Sequence, residues 1–164
     1  MSQRKLAPFL ILAILIAVGA AAYLFSARAA GSSGQTGELE ANLARWRGRN
    51  IMHFRMNVRI GCFCPFTDRM PLTVEVLNGR LVAVTDSQGQ TVAAEDPIRA
   101  FDNENLLTVD GIFAYTSDAL GSADETTVTY DSQLGFPTSV SIDRIKQAMD
   151  DEMTVEVTDF EILP

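Results

Sequence analysis

The sequence is poor in the residues that build most catalytic and metal sites. It has one histidine, His53, and two cysteines, Cys62 and Cys64, among 164 residues. It contains no glycine-rich phosphate loop, no histidine-based zinc motif and no Gly-x-Ser-x-Gly nucleophile elbow. No nucleophile motif stands beside His53, which we predict to be an ordinary histidine facing outwards at the start of a strand. We therefore predict no catalytic residues, no metal ligands and no cofactor.

Positive charge is scarce as well, and it is unevenly placed. The net charge is −8, but all 21 acidic residues and only ten of the thirteen basic residues follow residue 28. The part after residue 28 therefore carries a net charge of −11. Such a surface repels phosphate backbones and anionic lipid headgroups, and we predict no nucleic-acid partner.

A long hydrophobic segment lies near the N-terminus. Leu6 to Phe25 is a run of 20 residues without a charged side chain, preceded by Arg4 and Lys5. As a helix this run is about 30 Å long, which matches the hydrocarbon core of a bilayer. The two basic residues place the N-terminus in the cytoplasm. We predict contact with the lipid bilayer through residues 6–25, and a single-pass protein of the cell membrane with a periplasmic or extracellular C-terminal domain.

The alternative for this segment is a cleaved secretory signal. Ala27-Arg28-Ala29 supplies small residues for cleavage, and the protein would then be secreted after a cut near Ala29. The length of the apolar run favours an uncleaved anchor. No cysteine precedes Cys62, which excludes a lipid-modified N-terminus. The predicted organisation is a signal anchor over residues 1–28, a flexible Gly/Ser-rich linker over 29–37 and an exported domain over 38–164.

The first half of the exported domain reads as one helix followed by three strands. Helical spacing runs from Glu38 to Asn50, and apolar and polar residues then alternate from Ile51 to Ile60. Leu72 to Asp86 predicts a hairpin, because Asn78-Gly79 suits a type I′ turn between two strand-like flanks. We predict a long loop over residues 87–105.

The second half repeats this order. Thr108 caps a predicted helix that runs to about Leu120, where Gly121 is its stop, and strands are predicted at Thr126–Tyr130, Thr138–Asp143 and Met153–Ile162. The last strand contains a shift at Asp159, and residues 144–151 are predicted as a helical turn. The predicted fold class is therefore α+β, in which two similar halves lay helices on one antiparallel sheet. The aromatic residues that we assign to its core, or alternatively to a partner-binding face, are Trp46, Phe54, Phe113, Tyr130 and Phe136.

We predict a disulfide bond in the segment Gly61-Cys62-Phe63-Cys64-Pro65, because the exported domain lies outside the cytoplasm, where paired thiols tend to oxidise. Residues two apart in a strand are about 6.6 Å apart, at the upper limit for a disulfide, and Gly61 and Pro65 allow the chain to bend. We interpret the bond as a local staple. The alternatives are a redox-active pair and, with fewer ligands than usual, a metal site.

Asp143 and the run Asp150-Asp151-Glu152 form the densest acidic region. We interpret them as solvated acids, because their spacing matches no calcium loop. Calcium binding is the alternative, and an enzyme built on His53 or on these acids is a third hypothesis for function.

The residues in these segments resemble an uncharacterised family of bacterial exported domains, which are often lipoproteins or signal-bearing proteins. The resemblance covers about residues 38–162. It rests on Trp46 before a strand, Cys62-x-Cys64, Asn78-Gly79 and Ile112-Phe113, followed by Tyr130-Asp131, Gly135-Phe136-Pro137, Asp143 and Asp150-Asp151-Glu152. It implies an envelope or secreted location, and the family has no assigned activity, cofactor or catalytic residue. The residues from Tyr130 to Glu152 in this pattern are candidate functional or turn residues.

These observations favour a membrane-tethered, non-enzymatic domain that binds a protein or peptide partner of the bacterial envelope. The alternative is a thiol–disulfide redox protein that uses the Cys62 and Cys64 pair.

Overall fold

The structure is a computed structural model that describes residues 34–101 and 106–164. The predicted membrane segment at residues 6–25 lies outside these ranges. Within them, no helix is both long enough and apolar enough to cross a membrane. Glu38–Pro164 form one compact unit.

One antiparallel sheet of six strands organises this unit. In chain order its strands are β1 (His53–Gly61), β2 (Leu72–Leu77), β3 (Arg80–Thr85), β4 (Glu125–Tyr130), β5 (Pro137–Asp143) and β6 (Glu152–Ile162). Their order across the sheet is β3-β2-β1-β6-β5-β4, so two meanders meet where β1 pairs with β6. The helices are α1 (34–48), α2 (Pro97–Ala100) and α3 (Val109–Ser122). The fold is α+β, as predicted.

Alternation of side chains gives the sheet one apolar face and one polar face. The apolar face is buried, and its residues include Phe54, Met56, Val58, Ile60, Leu72, Val74, Val76, Val140, Ile142, Val155 and Val157. Both α1 and α3 pack on this face: Trp46 of α1 contacts Phe54, and Phe113 of α3 stacks on Tyr130. The opposite face carries Arg55, Arg59 and other exposed polar residues.

Four aromatic residues join the two meanders. Trp46 lies 5.6–6.1 Å, between ring centroids, from each of Phe54, Phe136 and Phe160. Phe160 stacks on Phe54 at 5.1 Å and on Phe136 at 4.5 Å. Because these residues come from α1, β1, β6 and the segment before β5, their burial couples both halves of the domain. The core assignment of Trp46, Phe54 and Phe136 is confirmed.

Several local predictions are confirmed. Asn78 and Gly79 have φ values of 53° and 73°, as a type I′ turn requires. The Thr108 side chain caps α3 by accepting a hydrogen bond from the Gly111 amide at 3.1 Å. The pairing of β1 with β6 shifts register near Asp159, whose φ is 50°.

Other local predictions are wrong in detail. Residues 34–37, which we predicted as part of the flexible linker, are helical. The first helix, predicted to reach Asn50, ends at residue 48 because Asn50 adopts a left-handed conformation (φ 51°). The predicted loop 87–105 contains α2, which Asp96 caps by accepting from the Ile98 amide. Gly121 does not stop α3, which continues to Ser122 and ends where Ala123 is extended.

Residues 144–151 form a turn with bends rather than a helix. The Ala148 amide donates to the Ile145 carbonyl at 2.7 Å, closing a single turn. The carboxylates of Asp151 and Asp124 accept from the amides of Ile145 and Lys146. These side-chain bonds compete with continued helical pairing.

The two halves share their order of elements, but symmetry does not relate them. To superpose β1, β2 and β3 on β4, β5 and β6, each strand must move three places along the sheet. Because neighbouring strands run in opposite directions, a strand three places away runs opposite to the strand that it replaces. A rotation that does this while keeping the order also turns the sheet over. Since α1 and α3 pack on the same face, the halves are not related by such a rotation.

Candidate functional site

The Tyr130–Pro137 motif forms the turn between β4 and β5. The Asp131 carboxylate accepts from the amides of Gln133 at 3.0 Å and Leu134 at 2.6 Å. The Gly135 amide donates to the Asp131 carbonyl, and the Asp131 amide donates to the Phe136 carbonyl. Asp131 therefore organises the turn through its side chain and its main chain together.

Gly135 lets this turn lie directly against α1. Its φ is +86°, and a Cβ there would lie 2.7 Å from the Asn42 carbonyl oxygen and 3.1 Å from Arg45 Cβ. A guanidinium nitrogen of Arg49 donates to the Gln133 carbonyl at 2.5 Å. Close approach and positive φ both require glycine here.

The remaining residues of this motif face the interior. Phe136 is buried in the aromatic cluster, and Pro137 begins β5 opposite Tyr130. Burial, with a smaller contribution from Glu38, raises the pKa of Tyr130 to about 12. A phenol with this pKa is neutral at physiological pH. The contacts of the motif give it a role in the fold.

The acidic residues Asp143 and Asp150–Glu152 lie where β5 passes to β6. One carboxylate oxygen of Asp143 and one of Asp151 are buried without a hydrogen-bond partner. Burial first, then the charges of Asp151 and Glu152, raise the pKa of Asp143. No group of three or more His, Cys, Asp or Glu side chains among the described residues is arranged to hold a metal ion. Asp151 accepts a hydrogen bond from the Ile145 amide and so holds part of this connection. Calcium binding at these acids stays a hypothesis.

Cys62 and Cys64 form a disulfide bond, as predicted. Their Cα atoms are 5.2 Å apart, closer than in an ideal strand, and the Cys64 amide donates to the Cys62 carbonyl at 2.8 Å. The bend follows β1, where Gly61 passes so close to the Thr154 side chain that a Cβ would clash. Phe63 projects from this loop and is 85% exposed.

His53 lies on the polar face at the start of β1, as predicted. Its Nε2 is 3.0 Å from Glu75, and its Nδ1 is 2.9 Å from the Pro164 carbonyl. The bond to Pro164, followed by that to Glu75, raises the pKa of His53. Both ring nitrogens are engaged, so the ring acts as a base only after one of these bonds breaks.

An apolar pocket of about 240 Å³ opens at the same end of the sheet. Four of its lining residues are buried core residues: Trp46, Phe54, Val76 and Val109. The pocket is also lined by Ile51, Met52, Asn78, Gly79, Thr108 and Asp110.

Three large apolar side chains are exposed at this end of the sheet, and one of them, Met52, lines the pocket. The side chains of Met52, Leu77 and Ile162 are 50%, 39% and 56% exposed, and all three lie at this end of the sheet. We call these three residues the apolar rim. Sequence reasoning missed them, because each lies at a strand end where alternation no longer distinguishes the two faces. The Asn78-Gly79 turn was the one signal in the sequence for this end of the sheet, because it marks where the β2–β3 hairpin ends.

The fold and these sites define a small α+β domain with one helix-covered sheet face, an apolar pocket and a surface disulfide. Residues 38–162 match the model of a family of unknown function, DUF6174, and the chain belongs to this family. No curated protein and no solved structure matches the chain.

Proposed function

We propose that this chain is a bacterial envelope protein whose domain binds a protein or peptide partner without catalysing a reaction. The observation that carries this proposal is the side-chain-sized pocket beside the apolar rim. In the proposal, residues 1–28 hold the domain at the membrane, or are removed to release it.

The size of the pocket favours a protein partner over a metabolite. Small-molecule sites commonly have volumes of about 300–1,000 Å³, whereas 240 Å³ suits one large side chain. Protein interfaces are commonly anchored by single apolar or aromatic residues that fill such pockets. Met52 lines the pocket, and Ile162 and Leu77 lie at the same end of the sheet, so in this proposal the apolar rim enlarges the contact surface.

Site-specific photo-cross-linking tests the partner proposal. A photoreactive phenylalanine analogue at Met52 is expected to capture a discrete partner in the native envelope. The matched control is the same analogue at Met149, which is 89% exposed at the other end of the sheet. Ile162→Asp should reduce the Met52 adduct several-fold. Equal labelling from both positions, or none from Met52, would refute the proposal.

The membrane tether has its own test. The intact mass of protein purified from its native envelope should equal that of the full 164-residue chain. A mass lacking residues up to about Ala29 would make this a released protein and leave the partner proposal intact.

Thiol–disulfide exchange is the second candidate function, favoured by the position of the Cys62–Cys64 bond in a loop with an exposed tip. Closing so short a loop stabilises the fold little, so the bond has a weak structural role. If the protein is a redox protein, Cys62→Ser should abolish its function in the cell, and the Cys62–Cys64 bond of the folded protein should be reduced by millimolar dithiol. A bond that resists this reductant in the folded protein would eliminate this function.

A further inference from the structure

The two edges of the sheet are covered differently. β3 carries an extra residue, Val82, where its pairing with β2 shifts register. Past this bulge the chain returns alongside β3: Thr85 bridges to Thr91, and the Val92 amide donates to the Val84 carbonyl at 2.9 Å. A bulge and a returning segment are two common ways to block an edge.

Among the described residues, the opposite edge has neither feature along most of its length. From Glu125 to Thr129, β4 pairs with β5 residue for residue, and the register shifts only at Tyr130. β4 is the last strand of the sheet in the described part of the chain. Every second residue of an antiparallel edge strand points its N–H and C=O away from the neighbouring strand.

The composition of β4 also suits further pairing. Residues 126–129 are Thr-Thr-Val-Thr, four β-branched residues in succession. The strand contains no proline or lysine, residues that often discourage addition to an edge, and its one charged residue, Glu125, pairs with Lys146 at the end of the strand. Thr127 and Thr129 are exposed on the polar face, where an added strand would meet no bulky side chain.

Charge indicates what kind of strand fits there. Residues 106–164, which include β4, hold twelve acidic and two basic residues, a net charge of −10. Residues 38–101, which include β3, hold seven acidic and eight basic residues, a net charge of +1. Pairing two copies through β4 would bring two strongly negative regions together, which is unfavourable. A positively charged strand would be attracted instead.

We propose that β4 accepts an extended segment of a partner protein, rich in lysine or arginine, as a seventh strand of the sheet. Main-chain hydrogen bonds supply affinity in this mode of binding, and the negative half of the domain selects for basic side chains. This surface is at the opposite side of the sheet from β3. The inference does not depend on the pocket, and either can fail alone.

Hydrogen exchange on the full chain in neutral detergent micelles tests this inference. The probe is a ten-residue peptide of alternating threonine and lysine. We expect at least about tenfold slower exchange in Glu125–Tyr130 with no change in Arg80–Thr85, because new strand pairing protects edge amides. The control peptides are alternating threonine and glutamate, and a threonine–lysine peptide N-methylated at alternate amides. Neither should protect β4, and higher salt should weaken the lysine peptide.

Proline variants add a readout on the protein side. Since neighbouring amides of β4 point in opposite directions, only one of Thr127→Pro and Val128→Pro removes an outward amide. The variant that keeps the wild-type melting temperature should lose the peptide-induced protection. Absence of protection by the lysine peptide, or equal protection by the glutamate peptide, would overturn the proposal. Protection of β4 that rises with protein concentration alone would instead identify a second copy as the occupant.

Discussion

The two halves of the sheet have the same outline and differ in what secures their edges. In the first half, Arg69 bonds to the carboxylates of Asp86 and Asp96 and holds the chain that returns beside β3. In the second half, the turn after β4 is fixed to α1 by the hydrogen bond from Arg49 to the Gln133 carbonyl and by the close approach of Gly135, and the edge itself has no returning segment among the described residues.

This difference shows that topology alone does not decide how an edge is protected. Each half is a three-stranded meander beside a helix, so each presents one edge strand. The first half continues into a long connection that folds back and pairs its charges. In the second half, β4 is reached directly from α3, and three of the acids, Asp110, Glu156 and Glu161, pair with arginines of the first half.

The largest effect is expected where the halves meet. Phe136→Ala removes a buried ring of the aromatic cluster that contacts both Trp46 and Phe160, and we expect a loss of about 3–5 kcal/mol in the free energy of unfolding. Urea denaturation followed by Trp46 fluorescence and by far-UV circular dichroism measures this loss. The two probes should report the same midpoint, because the cluster makes both halves unfold together.

Phe63→Ala is the matched control for this substitution. Its ring is 85% exposed in the disulfide loop, so its removal should change stability by no more than about 0.5 kcal/mol. Separate midpoints in the wild type would contradict the view that the halves form one cooperative unit.

The two turns provide the next comparison. Gly79 and Gly135 both have positive φ, but a Cβ at Gly79 meets open space whereas one at Gly135 meets the Asn42 carbonyl. Gly79→Ala should cost about 1–2 kcal/mol for its left-handed conformation. Gly135→Ala should cost at least about 1 kcal/mol more, because α1 must also move. Thermal unfolding measures both, and equal costs would show that the turn does not press on α1.

Local patterns in the sequence were sufficient to predict much of the fold. Alternation identified the buried face of β1, Asn78-Gly79 identified a hairpin, and Thr108 identified the start of α3. The pairing of β1 with β6 joins residues about a hundred positions apart. Side-chain alternation specifies which face of each strand is buried and leaves its neighbour undetermined, so the order of the sheet was not predictable.

The candidate sites were less predictable for the same reason. Cys62 and Cys64 are neighbours in sequence, and their bond was predicted from spacing. The pocket draws on α1, β1, the Asn78-Gly79 turn and α3, so only tertiary packing assembles it. The Arg69 network likewise links residues from three separate segments.

The ion pairs of Arg69 with Asp86 and Asp96 should affect how the free energy of unfolding changes in acid. The amides of Gln90 and Gln88, with Arg69, lower the pKa of Asp86, and the Ile98 amide with Arg69 lowers that of Asp96. Carboxylates with lowered pKa stabilise the fold above their unfolded value of about 3.8 and lose this effect as pH falls through their folded value. Arg69→Met should therefore be less stable than wild type at pH 7, with a difference that shrinks below about pH 3.8.

Chemical denaturation across this pH range measures the difference. Arg80→Met, at an exposed position on β3, is the control and should show no comparable change. Hydrogen exchange in Arg69→Met should also quicken in β3 but not in β4, because only β3 depends on the returning segment. A difference that persists at low pH would show that Arg69 stabilises the loop through packing instead.

The smallest effect is expected at His53, which lies at the seam of the two halves. Its ring bonds to Glu75 of β2 in the first half and to the Pro164 carbonyl at the end of the second half. Both bonds raise its pKa above 6.5, so their contribution to stability is complete below about pH 6.5 and is lost as pH rises through the folded-state value. Titration of the ring by NMR measures this pKa directly. Glu75→Gln should lower it only in part, because the bond to Pro164 is the larger cause. A fall to the unperturbed value would mean that Glu75 alone holds the ring, and that His53 does not link the two halves.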